Sequence, residues 1–359
     1  MAGAIACAGS SSAASVAGSA PARAPLRVYV ANQASATVSI LDGSTGELVE
    51  TVDLQAVGFS AKAKPHDVAV EPDGSFWYVS LVGDNYVVKF DRDNQVVGRA
   101  EMETPGLLAL DSGNDLLFAS RSMSAVNPPA RIGIINRSSM EIEEVDVFVT
   151  RPHAIEVDPR GGYVYVGSMG QLNIAVVDEE TSEVTLQDLD FEGMGGSTGH
   201  GGHEMIVQWA VSPDGTRLVG TAQMSGKLLV YDSTDPLHLK RIGAVDVGTW
   251  PWHVLFTPDG SEVWLPNQRD NTVTVVDVAT WTVKDRISGE GLAEPHGITI
   301  SPDGSTVFVS SHNQQGAVSG SGSGADPGLV AMIDRESHSI TRVTETSPDG
   351  AGMDLGGGR

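Results

Sequence analysis

Cysteine is almost absent from this chain. One residue in 359, Cys7, carries a thiol, which excludes an internal disulfide and any paired-cysteine metal or redox site. Positive charge is scarce as well: 22 Lys and Arg stand against 46 Asp and Glu, for a net charge of −24. No basic patch forms, which argues against nucleic acid and anionic lipid headgroups as partners. No apolar run is long enough to span a membrane as a helix, and no stretch carries a helical period. There is no glycine-rich phosphate loop with its lysine, and no Ser-His-Asp arrangement at a strand–helix elbow. The acidic residues scatter through strands and turns, the pattern of a solvated surface.

What the chain does have is a recurring line. It reads Pro65-His66-Asp67-Val68-Ala69-Val70-Glu71-Pro72-Asp73-Gly74. It returns at Pro152–Gly161 and Pro295–Gly304, and more loosely at Trp252–Gly260 and Val207–Gly215. The turn prolines 72, 159, 213, 258 and 302 imply a unit of about 43 to 45 residues. Each unit runs through an alternating segment, a Pro-Asp-Gly turn, a second apolar segment, a polar loop, and a β-branched third segment ending in Asp. A fourth segment closes it. Four short strands per unit is the signature of a propeller blade.

Six full blades are expected over 65–103, 105–147, 152–190, 203–248, 251–289 and 295–345. Residues 26–54 hold only three strands, so the missing inner strand is expected from Gly350-Ala351-Gly352-Met353-Asp354-Leu355-Gly356. The predicted fold is therefore an all-β, seven-bladed β-propeller of four-stranded antiparallel blades. The C-terminal strand joins the N-terminal blade, which closes the ring and removes an exposed edge. The carboxylates at third-strand ends (Asp42, Asp91, Asp178, Asp232, Asp277 and Asp334) read as caps for the following turn. The folded domain spans 26–359 and is expected to be a monomer.

Runs such as Asn271-Thr272-Val273-Thr274-Val275-Val276-Asp277 and Arg27-Val28-Tyr29-Val30-Ala31-Asn32 resemble the YVTN-type β-propeller repeat of extracytoplasmic, YncE-type bacterial proteins. That resemblance implies the fold and a periplasmic or cell-surface location, and it leaves the activity undecided. Residues 1–25 add to the expectation of export. Ala4-Ile5-Ala6-Cys7, followed by Ala/Ser/Gly-rich sequence to Ala20, resembles the end of a bacterial lipoprotein signal with its flexible tether, which implies a lipid anchor at Cys7. The alternative is an N-terminal tail with a buried or incidental cysteine.

In a propeller the first strand of each blade lines the central tunnel. His66, His153, His253 and His296 all begin such strands and are expected at one tunnel mouth. In the 203–248 blade, His203 sits just ahead of the aligned Val207, in a glycine-rich loop. His312 and Met169 each lie eight residues after a turn glycine, on the same face. Imidazole suits Zn, Cu, Ni and Fe, and thioether sulfur favours copper. The pattern thus points to a transition-metal site, copper favoured, on His153, His203, His253 and His296, with His66, His312 and Met169 as secondary ligands.

The alternative for each histidine is a structural bond to the neighbouring blade. The aligned positions Gly106 and Ala351 lack an imidazole, so the ring is incomplete, and His66 is expected to stand apart from the others. The positions of His153, His253 and His296 resemble those holding the copper cluster in the propeller of nitrous-oxide reductases, which implies a copper-dependent oxidoreductase as one enzymatic alternative. Glu294-Pro295-His296-Gly297, with Glu204, resembles the streptogramin-lyase type of propeller, which implies a Mg²⁺-dependent lyase as another. The remaining expectation is a binding scaffold without chemistry. In that reading Trp250, Trp252, Arg121 and Arg269 on the same face anchor a protein, peptide or glycan.

Overall fold

A computed structural model describes residues 24–170, 173–189, 205–316 and 326–357, together with Met1 and Gly3. The described residues form seven four-stranded antiparallel sheets. Six are built from consecutive strands. The seventh, blade 1, runs Gly350–Gly356, Arg27–Asn32, Thr37–Asp42, Leu48–Asp53, so the C-terminus supplies its inner strand as expected. The other inner strands are Pro65–Val70 (blade 2), Pro105–Leu110 (blade 3), Pro152–Val157 (blade 4), Ile206–Val211 (blade 5), Leu255–Phe256 (blade 6) and Pro295–Ile300 (blade 7).

The apolar core lies between blades, where side chains of adjacent sheets interlock. Blades 3 and 4 share Leu107, Phe118, Ile155 and Val166, and blades 4 and 5 share Tyr165, Trp209 and Leu229. Trp209 is fully buried against Gly220, where a Cβ would lie 2.2 Å from the indole. The third-strand aspartates are turn caps: Asp42 accepts from the backbone N–H of Ser44 and Thr45, and Asp178 from Glu180 and Thr181.

Two local devices shape the tunnel mouth. The first is backbone strain. The residue entering the inner strand is left-handed in six blades: Lys64, Thr104, Arg151, Trp250, Glu294 and Asp349 have φ between 45° and 69°. Five of them precede proline, a context that disfavours helical backbone, and non-glycine residues at positive φ are themselves costly. The second device is a β-bulge. Ladder pairing slips between Pro65 and Val68, Pro105 and Leu108, Pro152 and Ala154, Ile206 and Trp209, and Pro295 and Ile298. His66, His153 and His296 sit inside these slips. A bulge re-aims the residue it carries, and here it turns the imidazole toward the axis. The N–H groups released from the ladder are taken up by hydroxyls of the second strand: Asp67 donates to Ser80, Leu107 to Ser120, Gln208 to Thr221 and Gly297 to Ser310.

Candidate functional site

Five imidazoles come together at one mouth, and three of them, His66, His153 and His296, sit in the bulges. His66 meets His153 with ring centres 5.8 Å apart; His253 meets His296 at 4.8 Å, and His296 meets His312 at 4.5 Å. His66 therefore does not stand apart. Blade 3 offers only Gly106 at its aligned position, where a Cβ would meet the Arg121 backbone at 2.6 Å, and His66 and His153 touch although that blade contributes no imidazole. Blade 6 departs from the repeat. Its inner strand is cut to two residues, and the His253 N–H turns to the His296 carbonyl (3.4 Å) instead of its own sheet, which carries His253 onto its neighbour.

All five rings are nearly inaccessible to solvent. His153 donates from Nδ1 to the Val207 carbonyl (2.9 Å), the neighbouring-blade bond of the structural alternative. That bond fixes the tautomer and leaves Nε2 with a bare lone pair. His66 Nδ1 bonds the Gln33 amide (2.9 Å). His312 Nδ1 bonds Asp349 Oδ1 (2.5 Å), and Gln314 holds the same oxygen. The buried Nε2 atoms of His66, His153 and His253 and Nδ1 of His296 have no hydrogen-bond partner among the described residues. Burial, with the neighbouring imidazoles adding to it at His66, His253 and His296, keeps the rings of His66, His153, His253 and His296 neutral. His66 and His296 fall well below the ordinary histidine value, His153 falls to about 4 and His253 to about 3. Burial opposes ionisation of Asp349, but the hydrogen bond and charge of His312 outweigh it and keep that carboxyl low.

The other expected residues divide. Trp252 is buried and packs on His296, with ring centres 4.3 Å apart. Arg269 is exposed and lies over the half-buried Trp250 ring at 3.4 Å. Arg121 is no surface anchor. It is 1% exposed, and its guanidinium is spent on the carbonyls of Arg131 and Glu103 and on Glu144 (2.7 Å), which ties the blade 3 strands together. Met169 is buried in the loop after Tyr163–Ser168. His203, Glu204 and Cys7 lie outside the described residues. Among the described residues, no three His, Cys, Asp or Glu side chains already surround one point.

A family model described as "Lactonase, 7-bladed beta-propeller" matches residues 94–351. The chain belongs to this family. No curated protein sequence matches it. Solved structures share the fold at low identity. A putative 6-phosphogluconolactonase from Bacteroides uniformis is 12% identical, with 92% of this chain and 99% of that one covered and a TM-score of 0.68. A functionally unknown protein from Desulfotomaculum acetoxidans is 14% identical, covering 92% and 98%, with a TM-score of 0.69. Apo AztD from Citrobacter koseri is 10% identical, covering 93% and 99%, with a TM-score of 0.64. These similarities establish the fold; the YVTN-type resemblance meets the family at the level of the seven-bladed propeller.

Below the imidazoles, the axis of this lactonase-family propeller is a cavity of about 510 Å³ that reaches the Pro-Asp-Gly turns of the opposite face. Asp67, Glu156 and Asp354 line it together with Gln208 and His253. Two of the carboxylates also stitch blades: Asp354 accepts from Val70 N–H and Asp67 from Leu108 N–H, both at 2.9 Å. Gln208 does the same for Val254 (3.0 Å). Among the described residues Glu156 has no such task and accepts only from its neighbour Val157 (3.2 Å). Burial pushes Asp67 and Glu156 up to about 8 and Asp354 to about 6. The sequence signal for these three was inner-strand alternation, which the bulges displace by one residue.

Proposed function

We propose that this lactonase-family propeller is an exported metal-binding protein whose tunnel mouth holds a transition metal, copper foremost, on His66, His153, His253 and His296. The observation that supports this is the set of four buried, neutral imidazoles, each with a ring nitrogen lacking a hydrogen-bond partner among the described residues; at His66 that nitrogen, Nε2, carries the proton while the Gln33 amide donates to Nδ1, and ligation there requires the Gln33 amide to turn over and the proton to move to Nδ1. Buried polar atoms are normally satisfied, and an unsatisfied one calls for a ligand or a function. Two imidazoles on one ion, with metal–nitrogen bonds of about 2.0–2.1 Å, have ring centres roughly 4.5–6 Å apart, the range of the pairs at this mouth. Among the described residues the imidazoles do not yet surround one point, so capture requires the rings to close on the ion. The His312–Asp349 pair supplies the carboxylate-backed imidazole that commonly orients a metal ligand, and Met169 offers a thioether nearby in sequence to that face. Copper heads the divalent affinity order for nitrogen ligands. Export and anchoring through Cys7, and a monomeric state, belong to the same proposal and rest on the N-terminal sequence.

His153→Ala and His296→Ala test this in protein purified without a histidine tag or chelator, then exposed to copper and zinc and desalted. Wild type is expected to retain close to one equivalent, and each variant to fall several-fold while keeping its β-rich circular dichroism. Unchanged metal content with a lowered melting temperature would mark the histidines as structural. Lactone hydrolysis is a second reading, favoured by the family description and by a carboxyl and an imidazole, Glu156 and His253, lining one chamber. Turnover of an aldonolactone by chelator-treated protein would select it.

A further inference from the structure

We propose that the central channel is a binding site for a small aliphatic di- or triamine, which places its ammonium groups on Glu156, Asp67 and Asp354 and its methylenes against the channel walls. The inference rests on the channel lining; it shares His253 with the proposed metal site and is therefore tested on metal-free protein. Three carboxyl groups face one cavity of about 510 Å³, and no lysine or arginine lines it. Buried carboxyls without a cationic partner hold their protons rather than stand as charge, and a cationic guest is the partner that lets them ionise.

Among the described residues the three carboxyls do not surround one point. The carboxyls come from three different blades, with Asp354 on blade 1, Asp67 on blade 2 and Glu156 on blade 4. Positive charge must therefore be spread over a chain. Val68, Leu108, Val254 and Ile298 also line the cavity, which gives methylenes apolar surface beside the polar groups. His253 adds an acceptor. It is 4% exposed, lines the same cavity, and its Nε2 has no partner among the described residues. Glu156 is the anchor, since its carboxyl alone has no inter-blade hydrogen bond to keep.

The test is calorimetric titration of the full chain, treated with chelator and held in about 150 mM NaCl to screen surface attraction. The probes are 1,4-diaminobutane, spermidine, the neutral isostere 1,4-butanediol, and Mg²⁺ alone. Saturable one-to-one binding of the amines is expected, with none for the diol. Glu156→Gln is expected to weaken the amines about tenfold or more, the scale of one charge-assisted contact. No saturable heat, equal binding of diol and diamine, displacement of the amine by Mg²⁺, or an unaltered affinity in a folded Glu156→Gln protein would each overturn the proposal. If that variant does not fold, the diamine–diol comparison on the wild-type chain decides. Chelator treatment separates this result from metal retention, so either proposal can fail alone.

Discussion

Deleting residues 350–357 will abolish the cooperative fold. Those residues are the inner strand of blade 1, paired with Arg27–Asn32 from Arg27↔Gly356 to Asn32↔Gly350. Without them the ring opens, and the Arg27–Asn32 strand becomes an unpaired edge that invites aggregation. The strand is also wedged between its neighbours. Ala351 accepts from the Ser310 hydroxyl of blade 7, and Asp354 accepts from Val70 of blade 2. At Gly352 a Cβ would lie 2.1 Å from Asp67 Oδ1, so the backbone of the closing strand runs where only glycine fits. Gly352→Ala alone should cost on the order of 2–3 kcal/mol, the range of overpacked core positions. The deletion should show no sigmoidal melt by near-ultraviolet circular dichroism. A truncated chain that melts cooperatively near the wild-type temperature would mean that six blades and a partial seventh are self-sufficient.

Chelator-treated protein will be most stable near pH 6.5 and will weaken on either side. The imidazoles of His66, His153, His253 and His296 are lowered, chiefly by burial. In the unfolded chain they return to about 6.5. As pH falls below that value the unfolded chain takes up protons that the folded chain refuses, and stability drops. The tunnel carboxyls act in the opposite sense. Asp67 and Glu156 are raised to about 8 and Asp354 to about 6, again chiefly by burial. Their contribution is complete below the unfolded carboxyl range and is lost as pH climbs through the folded values. Between about pH 4.5 and 6.5 four imidazoles outweigh three carboxyls; above 6.5 only the carboxyls act. At about 1.4 kcal/mol per pKa unit and group, the loss from pH 6.5 to 8 is on the order of 2 kcal/mol. Glu156→Gln should flatten this alkaline limb and leave the acid limb in place. Stability that keeps rising to pH 9 in a pH series of thermal melts would contradict the assignment of these groups.

The blade count and the closing strand were legible in the sequence because a propeller repeats its turns. Pro72-Asp73-Gly74 and its copies mark each unit, and the shortage of one strand in 26–54 points to the C-terminus. The gathering of His66, His153, His253, His296 and His312 at one mouth was legible from the same alignment. What alignment did not carry is the local backbone. The bulges of the inner strands in blades 2, 4 and 7 and the left-handed residue before each of their prolines decide where an imidazole points, and the bulges depend on partners on the adjacent strand, such as Ser80 and Ser310. The contact of His66 with His153 was hidden for the same reason, since blade 3 between them carries no imidazole at its aligned Gly106. Arg121 looked like a surface anchor because its loop is long and polar; the buried guanidinium instead reaches backbone carbonyls that no sequence pattern marks. The tunnel carboxylates were masked by the one-residue slip, which moves Asp67 off simple alternation and onto the axis.

Metal coordination by tunnel-mouth imidazoles is tested most directly by X-ray absorption at the copper edge of tag-free protein, loaded with one equivalent of copper and desalted. The predicted spectrum has nitrogen scatterers at about 2.0 Å with the outer-shell features of several imidazole rings, and those features diminish in His296→Ala. A first shell of oxygen without imidazole outer-shell scattering, or copper lost entirely on desalting, would contradict a metal site at this mouth.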